Sequence, residues 1–177
     1  LVDVEVVTLT ASGKTLNLGG QTEGMTINGT GGVDTIVTGS GANLVNANYG
    51  DDVVTTGTGN NTVIGNDGND TINVGGGQVS IDGGNGNDSI AMGTTLAAND
   101  TIAGGAGTDH LTFTDSNSAT NDLDNVTGID NILLGGDTYV GTVNNLVDEG
   151  ATLNVSFSGS VSNRVLYWDG SLESDGQ

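Results

Sequence analysis

Several residue types are rare or missing in this sequence, and each absence excludes a class of protein. The chain has no cysteine and no proline, and aromatic residues make up 3% of its 177 positions. Without cysteine it can form neither disulfides nor thiolate metal sites. No apolar run approaches the roughly 20 residues that a membrane-spanning helix requires. We therefore expect no direct insertion into a membrane.

Positive charge is also nearly absent. Lys14 and Arg164 stand against 22 acidic residues, which gives a formal net charge of −20. Such a chain repels nucleic acids and anionic membrane surfaces and attracts cations. We expect no nucleic-acid partner. Because the first residue is Leu and no signal peptide is visible, we interpret the sequence as an internal segment of a larger protein.

The residues needed for catalysis are scarce. His110 is the single histidine, so no site built from several imidazoles can form. In the repeat described below it takes an outward position, which predicts an exposed side chain rather than a catalytic one. Paired carboxylates could act as general acid and base, but metal binding explains the spacing of the acids better. We expect no enzymatic activity in this segment.

The sequence does contain a nine-residue period. High acidity, much glycine and few aromatics are typical of disordered chains, but a short fixed period indicates a stacked solenoid. After a three-residue insertion in MGTTLAAND, the period resumes. The predicted inward residues are Leu9, Leu18, Ile27, Ile36, Val45, Val54, Val63, Ile72, Ile81, Ile90, Ile102 and Leu111.

A nine-residue unit can hold a six-residue turn and one short strand with a single inward side chain. Two units make a flattened coil of about 18 residues, and successive coils stack at the usual strand spacing of about 4.8 Å. The period therefore predicts an all-β solenoid with a thin aliphatic core. So small a core hardly offsets the entropy of ordering a glycine-rich chain, so a further stabilising interaction is required.

Acidic residues repeat two positions before the inward residue, once per coil. Stacking brings them into a ladder with carboxylates about 5 Å apart, which is repulsive unless it is neutralised. A hard divalent cation between successive rungs removes the repulsion, because carboxylates and turn carbonyls together supply about six oxygens. Glycine lets a turn aim its carbonyls inward. The row consists of Asp34, Asp52, Asp70, Asp88 and Asp109.

Two stretches, GGNGNDSIA (83–91) and GGAGTDHLT (104–112), resemble the G-G-x-G-x-D-x-U-x nonapeptide of the RTX (repeats-in-toxin) family. GNDGNDTIN (65–73) and GTGGVDTIV (29–37) are near matches, so the resemblance covers residues 29–112. It implies a right-handed parallel β-roll, or β-helix solenoid, with calcium in the turns between nonapeptides two apart.

The resemblance also implies ligands. Carboxylates would come from the five aspartates of the row, whose rungs enclose about four Ca2+ ions. Backbone carbonyls would come mainly from Gly29, Gly31, Gly32, Gly50, Gly65, Asp67, Gly68, Gly83, Asn85, Gly86, Gly104 and Gly107.

The alternate nonapeptides form the other edge of the roll and carry few acids. Asn43, Asn61 and Val79 replace the aspartate there, and Asp100 restores it. Calcium requires charged oxygens, so Asp100 is a weaker candidate ligand and we expect calcium on this edge to be weak or absent. The asparagines could instead stack as a hydrogen-bonded ladder. We expect Asn61→Ala to cost little more than one side-chain hydrogen bond.

Three regions follow from the repeat boundaries. Residues 1–28 form opening turns without acidic ligands, residues 29–112 the calcium-binding β-roll, and residues 113–177 a metal-poor continuation or spacer leading to a further repeat block. The RTX resemblance implies a calcium-dependent structural module of a secreted bacterial surface protein, either a surface layer or an adhesin. Such a module leaves the cell by type I secretion and folds and rigidifies outside it.

The candidate partners are calcium ions, neighbouring copies in a lattice and other cell-surface components. Two alternatives remain open at this level. One is an RTX module that binds a ligand, itself or ice, and the other is the non-catalytic C-terminal part of a secreted RTX enzyme.

Overall fold

The computed structural model describes residues 5–114, 123–135 and 152–158, and within these ranges every regular element is a β-strand. No helix in this part of the chain is long and apolar enough to cross a membrane. The strands are β1 (Val6–Thr8), β2 (Thr15–Asn17), β3 (Thr26–Asn28), β4 (Thr35–Val37), β5 (Leu44–Tyr49), β6 (Val53–Thr55), β7 (Asn61–Asp67), β8 (Thr71–Asn73), β9 (Val79–Asn85), β10 (Ser89–Gly93), β11 (Thr101–Ala106), β12 (His110–Phe113), β13 (Val126–Thr127), β14 (Asn131–Gly135) and β15 (Asn154–Ser158).

Successive strands alternate between two sheets, and each pairs in parallel with the strands one coil away. The first sheet has the order β1-β3-β5-β7-β9-β11-β13, and the second has the order β15-β14-β12-β10-β8-β6-β4-β2. A chain that passes repeatedly from one sheet to the other in this way forms a β-solenoid. The predicted parallel β-roll is therefore confirmed.

The core between the sheets is a double row of aliphatic side chains. The three-residue strands β3, β4, β6 and β8 bury their central residue and leave the flanking residues partly exposed. The period predicted from Ile27 to Leu111 is confirmed, including the three-residue insertion, because Ile102 pairs with Ile81 and Leu111 pairs with Ile90. The buried residues of this stretch are Ile27, Ile36, Val45, Val54, Val63, Ile72, Ile81, Ile90, Ile102 and Leu111.

The first coil departs from the predicted register. Val7 and Leu16 take the inward positions, since they pair with Ile27 and Ile36. The hydrogen-bonded rungs of this coil are 20 residues apart, against 18 in the next coil. The turn that precedes Met25 accommodates the two extra residues, so the nine-residue period does not extend back to the beginning of the chain. Leu9 and Leu18 lie two residues beyond the paired positions, so the predicted register is wrong there, although Leu18 is buried in the core and Leu9 packs against it.

At the other end the two sheets continue past residue 112. Strand β14 pairs with β12 and β15 pairs with β14, so that Ile132 lies beside Leu111, and Leu134 lies beside Phe113. These four side chains are buried. The solenoid thus extends into the region predicted as a continuation, and the rest of residues 113–177 lies outside the described residues.

Candidate metal centre

The five aspartates predicted from the sequence form one continuous ladder inside the turns of a single edge, called the Asp edge below. Through Oδ1, each accepts the backbone N–H of the rung before it. The distances are 2.6 Å from Asp34 N to Asp52, 2.8 Å from Asp52 N to Asp70, 2.8 Å from Asp70 N to Asp88 and 2.7 Å from Asp88 N to Asp109. All five side chains are buried.

The second carboxylate oxygen, Oδ2, distinguishes four of these rungs. It is buried without a hydrogen-bond partner in Asp52, Asp70, Asp88 and Asp109. A buried charged oxygen without a partner is strongly unfavourable, and such atoms are rare in folded proteins. Each of these oxygens therefore marks a place where a cation or a proton is required.

Glycine at the first position of the turns 65–70, 83–88 and 104–109 keeps the space beside Oδ2 open, whereas the turn 47–52 has Ala47 at this position. A Cβ atom on Gly65 would collide with Oδ2 of Asp70 and with the carbonyl oxygen of Gly83. A Cβ atom on Gly83 would collide in the same way with Asp88 and with the Gly104 carbonyl. Any side chain at these positions would therefore occupy the space next to the partnerless oxygen.

Four turns of the Asp edge, 47–52, 65–70, 83–88 and 104–109, share one backbone conformation. Their second and fourth residues have positive φ angles, which glycine and, at some cost, asparagine can adopt. Alanine and asparagine at positions 47 and 48 therefore do not prevent the turn 47–52 from taking this shape. The residues concerned are Asn48 (75°), Gly50 (119°), Asn66 (77°), Gly68 (139°), Gly84 (106°), Gly86 (132°), Gly105 (108°) and Gly107 (141°).

The turn 29–34 has a different shape. None of its residues has a positive φ. Thr30 donates its backbone N–H and its hydroxyl to Oδ2 of Asp34, at 2.8 and 2.6 Å. The protein itself thus satisfies the oxygen that is partnerless in the other rungs. The turn that contains the predicted carbonyl donors Gly29, Gly31 and Gly32 is closed by hydrogen bonds.

The pKa values divide the row in the same way. Burial raises the pKa of Asp52, Asp70 and Asp88 to about 6. The N–H hydrogen bond that each carboxylate accepts lowers the pKa, and the neighbouring carboxylates raise it further, so that the net shift is upward. Burial would also raise the pKa of Asp34, but the hydrogen bonds of that carboxylate together lower it. The metal-free row therefore disfavours negative charge at its centre but not at Asp34.

These residues fit a calcium ion. Carboxylate and carbonyl oxygens are the hard ligands that calcium prefers, usually six to eight of them. Among the described residues, no group of three or more His, Cys, Asp or Glu side chains is placed to hold a metal. Carboxylates alone are therefore insufficient, and the remaining oxygens must come from the main chain of the glycine-rich turns.

The opposite edge, called the Asn edge below, satisfies its polar groups within the protein. Oδ1 of Asn43 accepts the N–H of Met25 at 3.0 Å, and Oδ1 of Asn61 accepts the N–H of Asn43 at 3.1 Å. Nδ2 of Asn43 donates to the carbonyls two and four residues earlier, at 2.7 and 3.3 Å. Asn61 repeats this pattern at 2.6 and 3.3 Å. The expected hydrogen-bonded asparagine ladder is present.

Asp100 lies in the same row as the asparagines, but its surroundings are not those of the Asp edge. Its Oδ1 accepts the N–H of Val79 and its Oδ2 accepts the N–H of Ala97, both at 2.9 Å. Burial raises its pKa. Both oxygens have protein donors, so the side chain closes the inserted turn, and nothing in this geometry favours the weaker metal role predicted for it.

Two further residues belong to the row of the Asp edge. Oδ2 of Asp130 accepts the N–H of Asp109 at 2.8 Å, and the N–H of Lys14 donates to Oδ1 of Asp34 at 2.9 Å. The signal for Asp130 is an aspartate two positions before the inward Ile132, as in every other rung. The glycines of the nonapeptide are missing there, and the sequence pattern alone therefore did not reveal it.

Comparison with protein families agrees with this geometry. A family model described as the RTX calcium-binding nonapeptide repeat matches residues 28–63, 64–93 and 94–116, about half of the chain. The matched stretches contain all five aspartates predicted from the sequence. Comparisons with curated proteins and with solved structures gave no match. The chain belongs to the RTX calcium-binding nonapeptide repeat family.

Proposed function

We propose that this segment is a calcium-dependent structural module of a secreted bacterial surface protein, either a surface layer or an adhesin. Membership of the RTX repeat family and the β-solenoid support calcium binding by a structural repeat. The observation that carries the proposal is the row of buried carboxylate oxygens without partners. We assign no catalytic role to the segment, because its buried acids are accounted for by the two edges of the roll.

The module holds about three calcium ions, one fewer than the four that five stacked aspartates would enclose. Among the described residues, only four turns have the shared positive-φ conformation, and they enclose three gaps. Thr30 closes the turn beside Asp34. The rungs of the three gaps are Asp52, Asp70, Asp88 and Asp109. The proposed carbonyl donors in these turns are Gly50, Gly65, Asp67, Gly68, Gly83, Asn85, Gly86, Gly104 and Gly107.

Calcium, when bound, supplies the positive charge that the row lacks. The chain itself positions the carboxylates. Oδ1 of each rung accepts the N–H of the preceding rung, and Oδ2 of Asp70 and Asp88 lies in a space that glycine keeps open. Without neutralisation the stacked carboxylates oppose folding. Because the core is thin, the free energy of ion binding becomes the free energy of folding. The chain then folds at the millimolar calcium typical of extracellular modules and stays largely unfolded where calcium is scarce, which suits type I secretion.

The distribution of charge favours neighbouring copies as partners in a surface lattice. The outward residues of the second sheet, from β4 to β12, include no acid, although the chain carries a net charge of −20. Such a face can approach another copy without direct repulsion between carboxylates. These outward residues are Thr35, Val37, Val53, Thr55, Thr71, Asn73, Ser89, Ala91, His110 and Thr112. Electron microscopy tests this part of the proposal. Ordered arrays in calcium would support a lattice, and isolated rods would contradict the lattice but not the calcium-binding module.

Circular dichroism tests the calcium module. We expect a largely unfolded spectrum in chelator and a β-rich one after millimolar calcium is added. A spectrum with the same β content in chelator and in calcium would contradict the proposal.

A further inference from the structure

The hydrogen bonds of the Asn edge suggest that the two edges of the roll contribute to stability in different ways. We infer that Asn43 and Asn61 close their turns with their own amide nitrogens, so that this edge binds no calcium and contributes the same stability at every calcium concentration. The inference rests on the proposed function, because it contrasts this edge with a calcium-binding Asp edge.

Asn61 and Asp70 occupy the same position in consecutive turns, and their side chains differ in one atom, which is Nδ2 in asparagine and Oδ2 in aspartate. Oδ1 of each accepts a backbone N–H from the residue 18 positions earlier, at 3.1 Å for Asn61 and 2.8 Å for Asp70. The second atom of Asp70, Oδ2, is buried and has no partner. The second atom of Asn61, Nδ2, donates to the carbonyls of Gly59 and Gly57 at 2.6 and 3.3 Å. These carbonyls are therefore already bonded to a donor within the protein.

The first turn position provides a second, independent contrast. In three of the four regular turns of the Asp edge it is glycine, which leaves space beside Oδ2, and in the turn 47–52 it is Ala47. On the Asn edge it is Thr38 or Thr56, both buried. Their hydroxyl oxygens accept the N–H groups of Gly57 and Gly75, at 3.1 and 3.3 Å. A side chain with its own hydrogen bond thus fills the position that is left open on the Asp edge.

The backbone of the two kinds of turn also differs. No residue of the turns 38–43 and 56–61 has a positive φ, whereas the four regular turns of the Asp edge each contain two such residues. The Asn turns are therefore not calcium turns with a weaker ligand. They have a separate conformation, in which amide, hydroxyl and carbonyl groups bond to one another.

Calcium-linked unfolding distinguishes the two edges. Urea unfolding of the 177-residue chain, repeated over a series of free calcium concentrations, gives the folded-to-unfolded ratio at each one. On logarithmic axes, the slope of that ratio against calcium counts the ions released on unfolding. We expect a slope of about three for the unaltered chain and of about one for Asp70→Ala, because Asp70 borders two gaps.

For Asn61→Ala we expect the unaltered slope of about three, with a ratio lowered about 100-fold at every calcium concentration, since two partly buried carbonyls and the buried N–H of Asn43 lose their partner. A reduced slope would make Asn61 a calcium ligand and would overturn the inference. A slope of zero for the unaltered chain would instead contradict the proposed function, so the two failures are distinguishable.

Asn61→Asp is the sharper variant, because it keeps Oδ1 and the size of the side chain but removes the donor. We expect the same slope and a loss at least as large as for Asn61→Ala. A slope that rises to about four would show that the turn accepts a cation once a charge is present, and would overturn the inference. Should the Asn61 variants fail to fold, Asn43→Ala gives the same comparison. Equilibrium dialysis of the unaltered chain then counts the bound ions directly. A count above three, the number of gaps on the Asp edge, would contradict the inference.

Discussion

Acid should replace calcium as a folding agent for this chain, and the structure gives the sign of the effect. In the folded, metal-free state burial raises the pKa of Asp52, Asp70 and Asp88 from the ordinary value of 3.8 to about 6. The folded chain therefore binds protons more tightly than the unfolded chain does. The resulting stabilisation is complete below about pH 4 and is lost as the pH rises through about 6.

The size of the effect follows from the same pKa values. A rise from 3.8 to about 6 corresponds to about 3 kcal/mol for each carboxyl before screening by water. Screening reduces this to about 1–2 kcal/mol each, so the three groups together contribute roughly 3–6 kcal/mol. That is comparable with the whole stability of a small domain. A protonated Oδ2 also becomes a donor, as the amide nitrogen is on the Asn edge.

Circular dichroism of the metal-free chain between pH 7 and pH 4 measures this directly, and we expect β-structure to appear on acidification. Acid also lowers the overall negative charge, so two triple variants of equal charge provide the control. We expect the buried set to fold at pH 7 without calcium and the exposed set to behave like the unaltered chain. The buried set replaces Asp52, Asp70 and Asp88 by Asn, and the exposed set replaces Asp51, Asp67 and Asp82 by Asn.

Two results would refute this reasoning. Loss of β-structure on acidification from pH 7 to pH 4 would give the linkage the opposite sign. Equal folding of the buried and exposed triple variants would show that net charge, rather than the buried carboxylate row, keeps the metal-free chain unfolded.

Three further predictions concern the same edge. Asp70→Ala should raise the calcium concentration at the folding midpoint at least about fivefold. A loss of about 3 kcal/mol shared among the three ions of the unaltered chain gives about fivefold, and the increase is larger when about one ion remains linked to folding. The exposed Asp82→Ala should leave the midpoint in a calorimetric titration unchanged. Gly83→Ala should weaken calcium binding by about tenfold, because its Cβ would enter the space beside Oδ2 of Asp88. Gly31→Ala, whose Cβ would meet no neighbour within 4 Å, is the matched control, and equal effects of the two substitutions would contradict the proposed ion position. Magnesium, at concentrations where calcium folds the chain, should leave the circular dichroism spectrum close to that in chelator, because magnesium gives up its bound water reluctantly. Equal folding by both ions would argue against a calcium-selective site.

The fold could be predicted over most of the repeats because one aliphatic residue is buried at the same position of successive strands and recurs with the coil. The same rule failed in the first coil. Leu9 and Leu18 have the right residue type and spacing for the core, but Val7 and Leu16 are the residues paired with the inward row. Two extra residues in a turn change the register without changing the apparent period, and only strand pairing reveals them.

The site was predictable to a similar extent. The Asp row follows from spacing alone, but the closure of Asp34 by Thr30 does not, because it depends on the backbone conformation of a turn that fits the nonapeptide pattern. The sequence predicts that Asn61→Ala costs little more than one side-chain hydrogen bond, and the structure shows that the Asn61 side chain makes more than one. Its oxygen accepts from both nitrogens of Asn43, and its amide donates to two carbonyls. The sequence predicts that asparagine is a poor calcium ligand and can form a hydrogen-bonded ladder, and the structure adds that its amide donates to the carbonyls of its own turn.

The contrast between the edges explains why a roll of this kind would retain aspartate at all. The Asn edge shows that a coil can be closed by neutral groups, with every side-chain oxygen and nitrogen of Asn43 and Asn61 hydrogen-bonded. An amide on both edges would therefore give a roll that folds without metal. The partnerless oxygens of the Asp edge destabilise the metal-free state. Under the proposed function they restrict folding to places where calcium is abundant, which is the dependence that a secreted module needs if it is to stay unfolded during export.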